Sequence, residues 1–407
     1  MTRTGGALAL LLLAAAPSFA QVADAAWPPA LPALPILAPA LRPPVPFPAA
    51  AAAVPTVSFH GVVIKGVQFS RTDRVPASLV AAIDATQRTL LLAIYDLRLP
   101  DVAAAIVRAK GRGVDVRMVY DEGHAAPADP SGNGGPSAEF QSVVDAGVPV
   151  RLLKGGGSYG IMHNKFAVFD GELVETGSFN WTAAADAKNF ENSIWRSDPA
   201  YAAGFARYWD WMWGLAHAPG IAAAPVAGAG FGTPPGDASR PVAFNGGAYP
   251  RWSFSPQGGV EDLLVDAIGR ARSTVDVAIF SLYSQRVADA LIAAKGRGVA
   301  VRVVADASQS RRAQPVAALA AAGVALRISG GRDGGTGVFH HKYAIVDGTL
   351  LITGSYNFSQ NAELYNFEND LYTTVPAEAA AFGGEFAADW TQARVPSAGD
   401  LPAPKNL

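Results

Sequence analysis

Apolar and polar positions follow two periods along this chain, and each change of period marks an element. From Pro76 to Arg88, Leu79 and Ile83 fall four apart behind a proline suited to a first helical turn, which predicts a helix. The apolar run Leu90 to Tyr95 predicts a strand, Val102 to Lys110 a second helix that stops near Gly111, and Val114 to Tyr120 a second strand. The same order returns in Val260 to Arg272, Val275 to Phe280, Val287 to Lys295 and Val299 to Ala305. Lys165 to Phe169 and Leu173 to Gly177, joined at Asp170-Gly171, read as a hairpin. Strands alternating with helices imply an α/β fold: two α-β-α sandwich halves whose mixed, largely parallel sheets are covered by helices on both faces.

The halves are copies. Ala109-Lys110-Gly111-Arg112-Gly113-Val114 recurs 185 residues later as Ala294-Lys295-Gly296-Arg297-Gly298-Val299, and His163-Asn164-Lys165 recurs 177 residues later as His340-His341-Lys342. The eight residues by which the offsets differ fit most simply in the polar, glycine-rich stretch Glu122 to Pro136, because a surface loop accepts an insertion at least cost. Residues 21–56, dominated by alanine and proline, predict an extended spacer, and residues 217–241, rich in alanine, glycine and proline from Pro219 on, a linker. The repeated units are then 57–216 and 242–399.

Composition narrows the function classes. A chain of 407 residues, 50 % apolar and 16 % charged, has enough material for two or three cores and is not a disordered tail. With 32 basic against 34 acidic side chains it has no global positive field of the kind that drives non-specific nucleic-acid binding, although a local basic groove stays open. The absence of cysteine excludes disulfides, zinc-thiolate and iron–sulfur sites and a thiol nucleophile. Arg3, the apolar run Ala7 to Ala16 and Ser18-Phe19-Ala20 predict a cleaved secretory signal over residues 1–20. That run is too short to span a bilayer, and no later one of about 18 residues appears, so the expectation is a soluble chain exported to the periplasm or beyond.

The chemistry gathers on the hairpin. His163-x-Lys165-x4-Asp170-x6-Gly177-Ser178-x-Asn180 is matched spacing for spacing by His340-x-Lys342-x4-Asp347-x6-Gly354-Ser355-x-Asn357. Along a strand, residues two apart share a face, so each histidine projects with its lysine, whereas Asp170 and Asp347 have the opposite parity and read as turn or packing residues. Ser178 with Asn180 and Ser355 with Asn357 offer hydroxyl and amide donors, which with Lys165 and Lys342 could hold a phosphoryl oxyanion. A phosphodiester is cleaved covalently when one imidazole attacks phosphorus and a second protonates the leaving alkoxide from the opposite side. If the halves pack about a pseudo-twofold axis, His163 and His340 can face one another across a single substrate.

This doubled pattern resembles the phospholipase D superfamily, over residues 57 to 395. The resemblance implies a phosphohistidine intermediate resolved by water or an alcohol, no metal or other cofactor, His163 as the nucleophile, and a glutamate that orients the histidine of the facing half. Glu191 in Asn189-Phe190-Glu191-Asn192 and Glu368 in Asn366-Phe367-Glu368-Asn369 stand where that glutamate is expected. The expected substrate is a phospholipid losing its head group, with transient contact at a membrane surface and no stable protein partner. A secreted nuclease is the alternative, since Gly177 to Trp181 is similar to that of the superfamily's small endonucleases and cardiolipin hydrolases. A phosphatidyl transferase fits less well with export, and an inactive binding module would need a broken motif. His341, off the reacting face by parity, reads as packing, and His60, His124 and His217 have no ligand pattern. Gly155-Gly156-Gly157 and Gly330-Gly331 with Gly334-Gly335 read equally as mobile lips or turns, and Trp181, Tyr356 and Phe358 as core rather than substrate contacts.

Overall fold

The computed structural model describes residues 54–127, 135–221 and 230–402. The expected signal, nearly all of the spacer, the middle of the Glu122–Pro136 stretch and part of the linker lie outside the described residues.

The first half is built on seven strands: β1 (Val67–Phe69), β2 (Thr89–Ile94), β3 (Asp115–Asp121), β4 (Val150–Leu153), β5 (Lys165–Phe169), β6 (Leu173–Gly177) and β7 (Asn192–Arg196). They lie in the order β1-β7-β6-β5-β2-β3-β4. The second half repeats it with β8 (Trp252–Ser255), β9 (Thr274–Ile279), β10 (Ala300–Asp306), β11 (Ala325–Ser329), β12 (Lys342–Val346), β13 (Leu350–Gly354) and β14 (Glu368–Thr373), ordered β8-β14-β13-β12-β9-β10-β11. The sheets are mixed, but the parallel share is smaller than expected. Only β2–β3–β4 and β9–β10–β11 run parallel; the other pairings of each sheet are antiparallel. The reason is local: helical crossovers join the parallel strands, whereas β5 to β6 and β12 to β13 are joined by three-residue turns, which force reversal.

Those turns are sequence-coded. Asp170 and Gly171 have φ of 53° and 68°, Asp347 and Gly348 53° and 63°, the left-handed pair that Asp-Gly accepts readily. The Asp170 carboxylate also accepts hydrogen bonds from the backbone N–H groups of Gln87, Arg88 and Thr89, at 2.9, 2.7 and 2.7 Å, tying the hairpin to the start of β2. Asp347 does the same for Arg272, Ser273 and Thr274.

Helices α1 (Val75–Ala85) and α2 (Pro100–Gly111) cover the outer face of the first sheet, α3 (Val260–Gly269) and α4 (Gln285–Gly296) that of the second; each outer face has its own apolar core. A third core lies between the sheets and is filled from both halves. Phe205, Tyr208 and Trp209 of a helix over Pro199–Leu215 meet Trp252 and Phe254, while Phe382 and Phe386 of the matching helix Pro376–Gln392 complete it. Tyr208 and Phe254 stack at 3.9 Å between ring centroids, and Trp209 Nε1 donates to the Leu92 carbonyl at 2.8 Å. Burying each such ring contributes about 1.5–3 kcal/mol, so the halves share one folding unit, packed across the inner faces of both sheets.

Candidate active site

The two motifs come together where the segments before β5 and β12 cross into the facing half. Met162 pairs as a parallel bridge with Phe367, and Phe190 with Phe339. His163 N–H donates to the Phe367 carbonyl and His340 N–H to the Phe190 carbonyl, both at 3.0 Å. Each crossing is also held from below: Asp121 at the end of β3 accepts from Met162 N–H at 3.0 Å, and Asp306 at the end of β10 from Phe339 N–H at 2.9 Å. The motif glycines are required by the next strand. A Cβ on Gly177 would sit 2.3 Å from the Asn192 carbonyl oxygen, and one on Gly354 2.0 Å from that of Asn369.

The crossing exchanges partners. His163 Nδ1 lies 2.8 Å from Glu368 Oε2, and His340 Nδ1 2.8 Å from Glu191 Oε2, so each histidine is oriented by the other half's glutamate. Both glutamates are fully buried, and both histidines almost so. With Nδ1–H donated to a carboxylate, each ring presents Nε2 as a lone pair. Burial pushes His163 down to about 4 against the pull of Glu368, and lowers His340 likewise against Glu191. Burial alone would raise the glutamates, but the facing histidines and lysines hold both below the usual carboxylate range. Lys165 and Lys342, also fully buried, donate to the carbonyls of His163 and His340. Burial brings Lys165 down to about 7 and Lys342 to about 8. Each lysine's charge is felt by both histidines, which places the four groups in one field.

The motif serines have a different partner from the one expected. Ser178 Oγ donates to Glu191 Oε2, and Ser355 Oγ to Glu368 Oε2, both at 2.7 Å, while accepting from Asn192 and Asn369 N–H. Their hydrogens are spent on the orienting glutamates, so they steady the histidines indirectly. Asn180 and Asn357 each keep a buried Oδ1 without a hydrogen-bond partner beside the motif.

Several residues were not foreseen. Asn189 and Asn366 donate Nδ2 to the second oxygen of Glu191 and Glu368, at 3.1 and 2.9 Å; their place two before each glutamate was the available signal. Tyr95 lies edge-on to His163 with Lys165 over its ring, and Phe280 lies tilted against His340 with Lys342 over its ring. His124 packs edge-on against Tyr95, at 4.4 Å between ring centroids. His60 and His217 lie apart, beside Asp170 and Glu122 respectively. Trp181, Tyr356 and Phe358 are buried core. The glycine clusters form seams in part: a Cβ on Gly155 would meet the Tyr365 carbonyl oxygen at 2.4 Å and one on Gly331 that of Lys188 at 2.6 Å, whereas Gly330 and Gly334 face open space.

Among the described residues, His341, Glu385 and Asp389 form the one group of carboxylates and imidazole close enough to hold a metal ion, with donor atoms within 4.8 Å. His341 Nδ1 is tied to Asn192 Oδ1, and Nε2 faces Glu385 and Asp389 at 3.7 and 3.6 Å. Arg71 binds both carboxylates and already supplies positive charge there, so the donor set fits an internal ion network better than a divalent metal.

Two histidines with crossed glutamates and paired lysines make one site from two copies of a motif. The chain belongs to the phospholipase D superfamily: the family described as "Cardiolipin synthase, PLD-like domain" matches residues 79–213 and 264–390. It is similar to the mitochondrial cardiolipin hydrolase of Xenopus tropicalis, 34 % identical over 142 residues covering 34 % of this chain and 62 % of that protein. It is also similar to the phospholipase D of Rickettsia conorii, 31 % identical over 127 residues, 31 % of this chain and 58 % of that one. The chain thus spans about three fifths of the length of the curated relatives it matches. The crystal structure of phosphatidylserine synthase from Haemophilus influenzae shares the fold, with a TM-score of 0.56 and 13 % identity, covering 83 % of this chain and 88 % of that one.

Proposed function

We propose that the protein is a phosphodiesterase that releases head groups from phospholipids through a phosphohistidine intermediate. The observation that carries this reading is the reciprocal crossing: His163 on Glu368 and His340 on Glu191, with both Nε2 lone pairs free. One imidazole Nε2 attacks phosphorus, the P–O bond to the leaving alkoxide breaks, and the other imidazole, protonated, gives that alkoxide its proton. Water then attacks the phosphohistidine, returning a proton to the second imidazole and freeing the first. Lys165 and Lys342 neutralise the non-bridging oxygens, and the side chains of Asn180 and Asn357 are the remaining motif groups available to the phosphoryl group. His163 is assigned as the nucleophile and export as the destination, the latter on the N-terminal signal pattern.

The test offers purified protein phosphatidylcholine vesicles, cardiolipin vesicles and single-stranded DNA side by side. Head-group or phosphatidic-acid release should outpace DNA cleavage and depend weakly on salt. Rapid DNA cleavage that collapses as salt rises would assign the protein as a nuclease instead.

A further inference from the structure

We propose that a pocket at the seam of the two halves, walled by Arg71, Arg332 and Arg394, binds a phosphate-class anion separate from the one at the histidines. The pocket encloses about 460 Å³, and its ten lining residues include these three arginines and no carboxylate. Gly330 and Gly331 form one lip and Phe190 the inner wall, with the Arg71 guanidinium over the Phe190 ring at 4.6 Å.

The arginines differ in how far their charge is already met. Arg394 is paired with Asp400 through two 2.7 Å bonds, and Arg71 with Glu385 and Asp389. Arg332 instead donates Nε to the Asn189 carbonyl at 2.7 Å and Nη2 to the Asp186 carbonyl. Its hydrogen bonds go to main-chain oxygens, which orient the guanidinium without cancelling its charge. Burial makes the protonated form costlier than usual, the carboxylates of Asp186, Glu191 and Glu385 offset only part of that cost, and the charge of Arg71 adds to it. An anion on Arg332 would relieve that cost.

Duplication supplies an internal control. The positions matching Arg332, Arg394 and Arg71 in the other half are Gly156, His217 and Pro256, the first because Gly156 N–H donates to the Tyr365 carbonyl as Arg332 N–H does to that of Lys188, so the three arginines stand on one side only. A duplicated scaffold that keeps its histidines, lysines and glutamates paired but places three arginines beside one of them is asymmetric in what it binds. The pocket also connects with the reacting groups: Phe190 directly precedes Glu191, which orients His340, and Asn189 binds both Arg332 and Glu191. The anion is either a second phosphate on the substrate molecule, a source that rests on the function proposed above, or a free phosphate ion.

Calorimetry with inorganic phosphate on the full chain tests the site itself. Wild type should bind two phosphates, one at the histidines and one at the seam. Arg332→Gln should lose the seam phosphate or weaken it at least about tenfold, while phosphate inhibits hydrolysis of bis(4-nitrophenyl) phosphate with unchanged strength. The exposed Arg394→Gln provides a second, milder variant should Arg332→Gln fold poorly. Identical isotherms in wild type and both variants would overturn the proposal. The source follows from KM for a lipid with two phosphodiesters against one with a single phosphodiester. Loss of that preference in Arg332→Gln assigns the second substrate phosphate; an unchanged preference with an altered isotherm assigns a free anion. Absence of any lipid turnover would sink the lipid reading alone, because the phosphate isotherm does not depend on it.

Discussion

A histidine that must attack phosphorus needs one ring nitrogen bare and the other held, and here the hold comes from a carboxylate on the opposite half. Glu368→Gln and Glu191→Gln remove that charge while keeping the size of the side chain. An amide can accept from Nδ1–H but cannot stabilise the imidazolium as it forms, and it also faces the hydroxyls of Ser355 and Ser178. We expect kcat to fall about 10- to 100-fold with the thermal midpoint changed little; steady-state kinetics beside a melting curve checks both, and an unchanged kcat would remove the glutamates from the mechanism. The histidines themselves should be less forgiving. Two independent sites would leave about half the activity after either substitution, whereas a shared site should lose at least about 10²-fold in both His163→Ala and His340→Ala. Because such residues act as a unit, the double variant should be little worse than the weaker single one. Acid quench and peptide mapping would show which ring carries phosphorus, and label on His340 would reverse the assignment of His163.

At the scale of elements, the hairpin carries the site and its turn aspartate carries the hairpin. Asp170→Ala leaves three backbone N–H groups of the β2 entry without their acceptor and puts alanine at a φ of 53°. A loss of at least about 2 kcal/mol is expected, read as a lower denaturation midpoint, with kcat per folded molecule nearly intact because the carboxylate points away from the histidines. A kcat collapse in still-folded protein would make Asp170 part of the chemistry after all. Elements of this kind were legible in the sequence because their signals are local: the Asp-Gly turn, the two-residue rise between histidine and lysine, and the repeat that doubled every reading. Glu191 and Glu368 were legible through the family resemblance, which implies an orienting glutamate downstream of each motif, and through the equal spacing that the repeat gives them. What stayed hidden depends on chain crossings. Nothing near Asp121 or Asp306 shows that these carboxylates will catch the segments before the histidines, nor that Tyr95 and Phe280 will meet the imidazoles. The same holds for Ser178 and Ser355, whose local pattern offers donors toward the site but says nothing of the glutamate that takes them. Helix-strand alternation overstates the parallel share, because the hairpin strands β5–β6 and β12–β13 add antiparallel neighbours to each sheet.

For the whole molecule, the common inner core and the crossed glutamates make one enclosed site from two copies, and enclosure sets its response to pH and to chelators. Positive charge and protons come from lysine and histidine side chains, so activity should survive thorough treatment with EDTA, and loss restored by a divalent metal would show the site to be incomplete. The pH response follows from burial. Lys165 and Lys342 have pKa values brought from 10.5 down to about 7 and about 8, so their charge disappears as pH rises through that window. The histidine that serves as acid must hold a proton, and burial lowers His163 from 6.5 to about 4 and His340 in the same direction, so that proton is also lost earlier than usual. Both effects have the same sign, and kcat/KM should peak below neutrality and fall above pH 7. Stability has the opposite slope on the acid side. Between pH 6.5 and about 4 the unfolded chain binds a proton at His163 that the folded chain refuses, so the stability present above 6.5 is lost as pH falls toward 4. Initial rates taken over seconds and denaturation midpoints taken at equilibrium should therefore move apart as the solution is acidified. A kcat/KM maximum above pH 8 would mean that the lysines stay charged well beyond the range burial allows, and that the site is open to water.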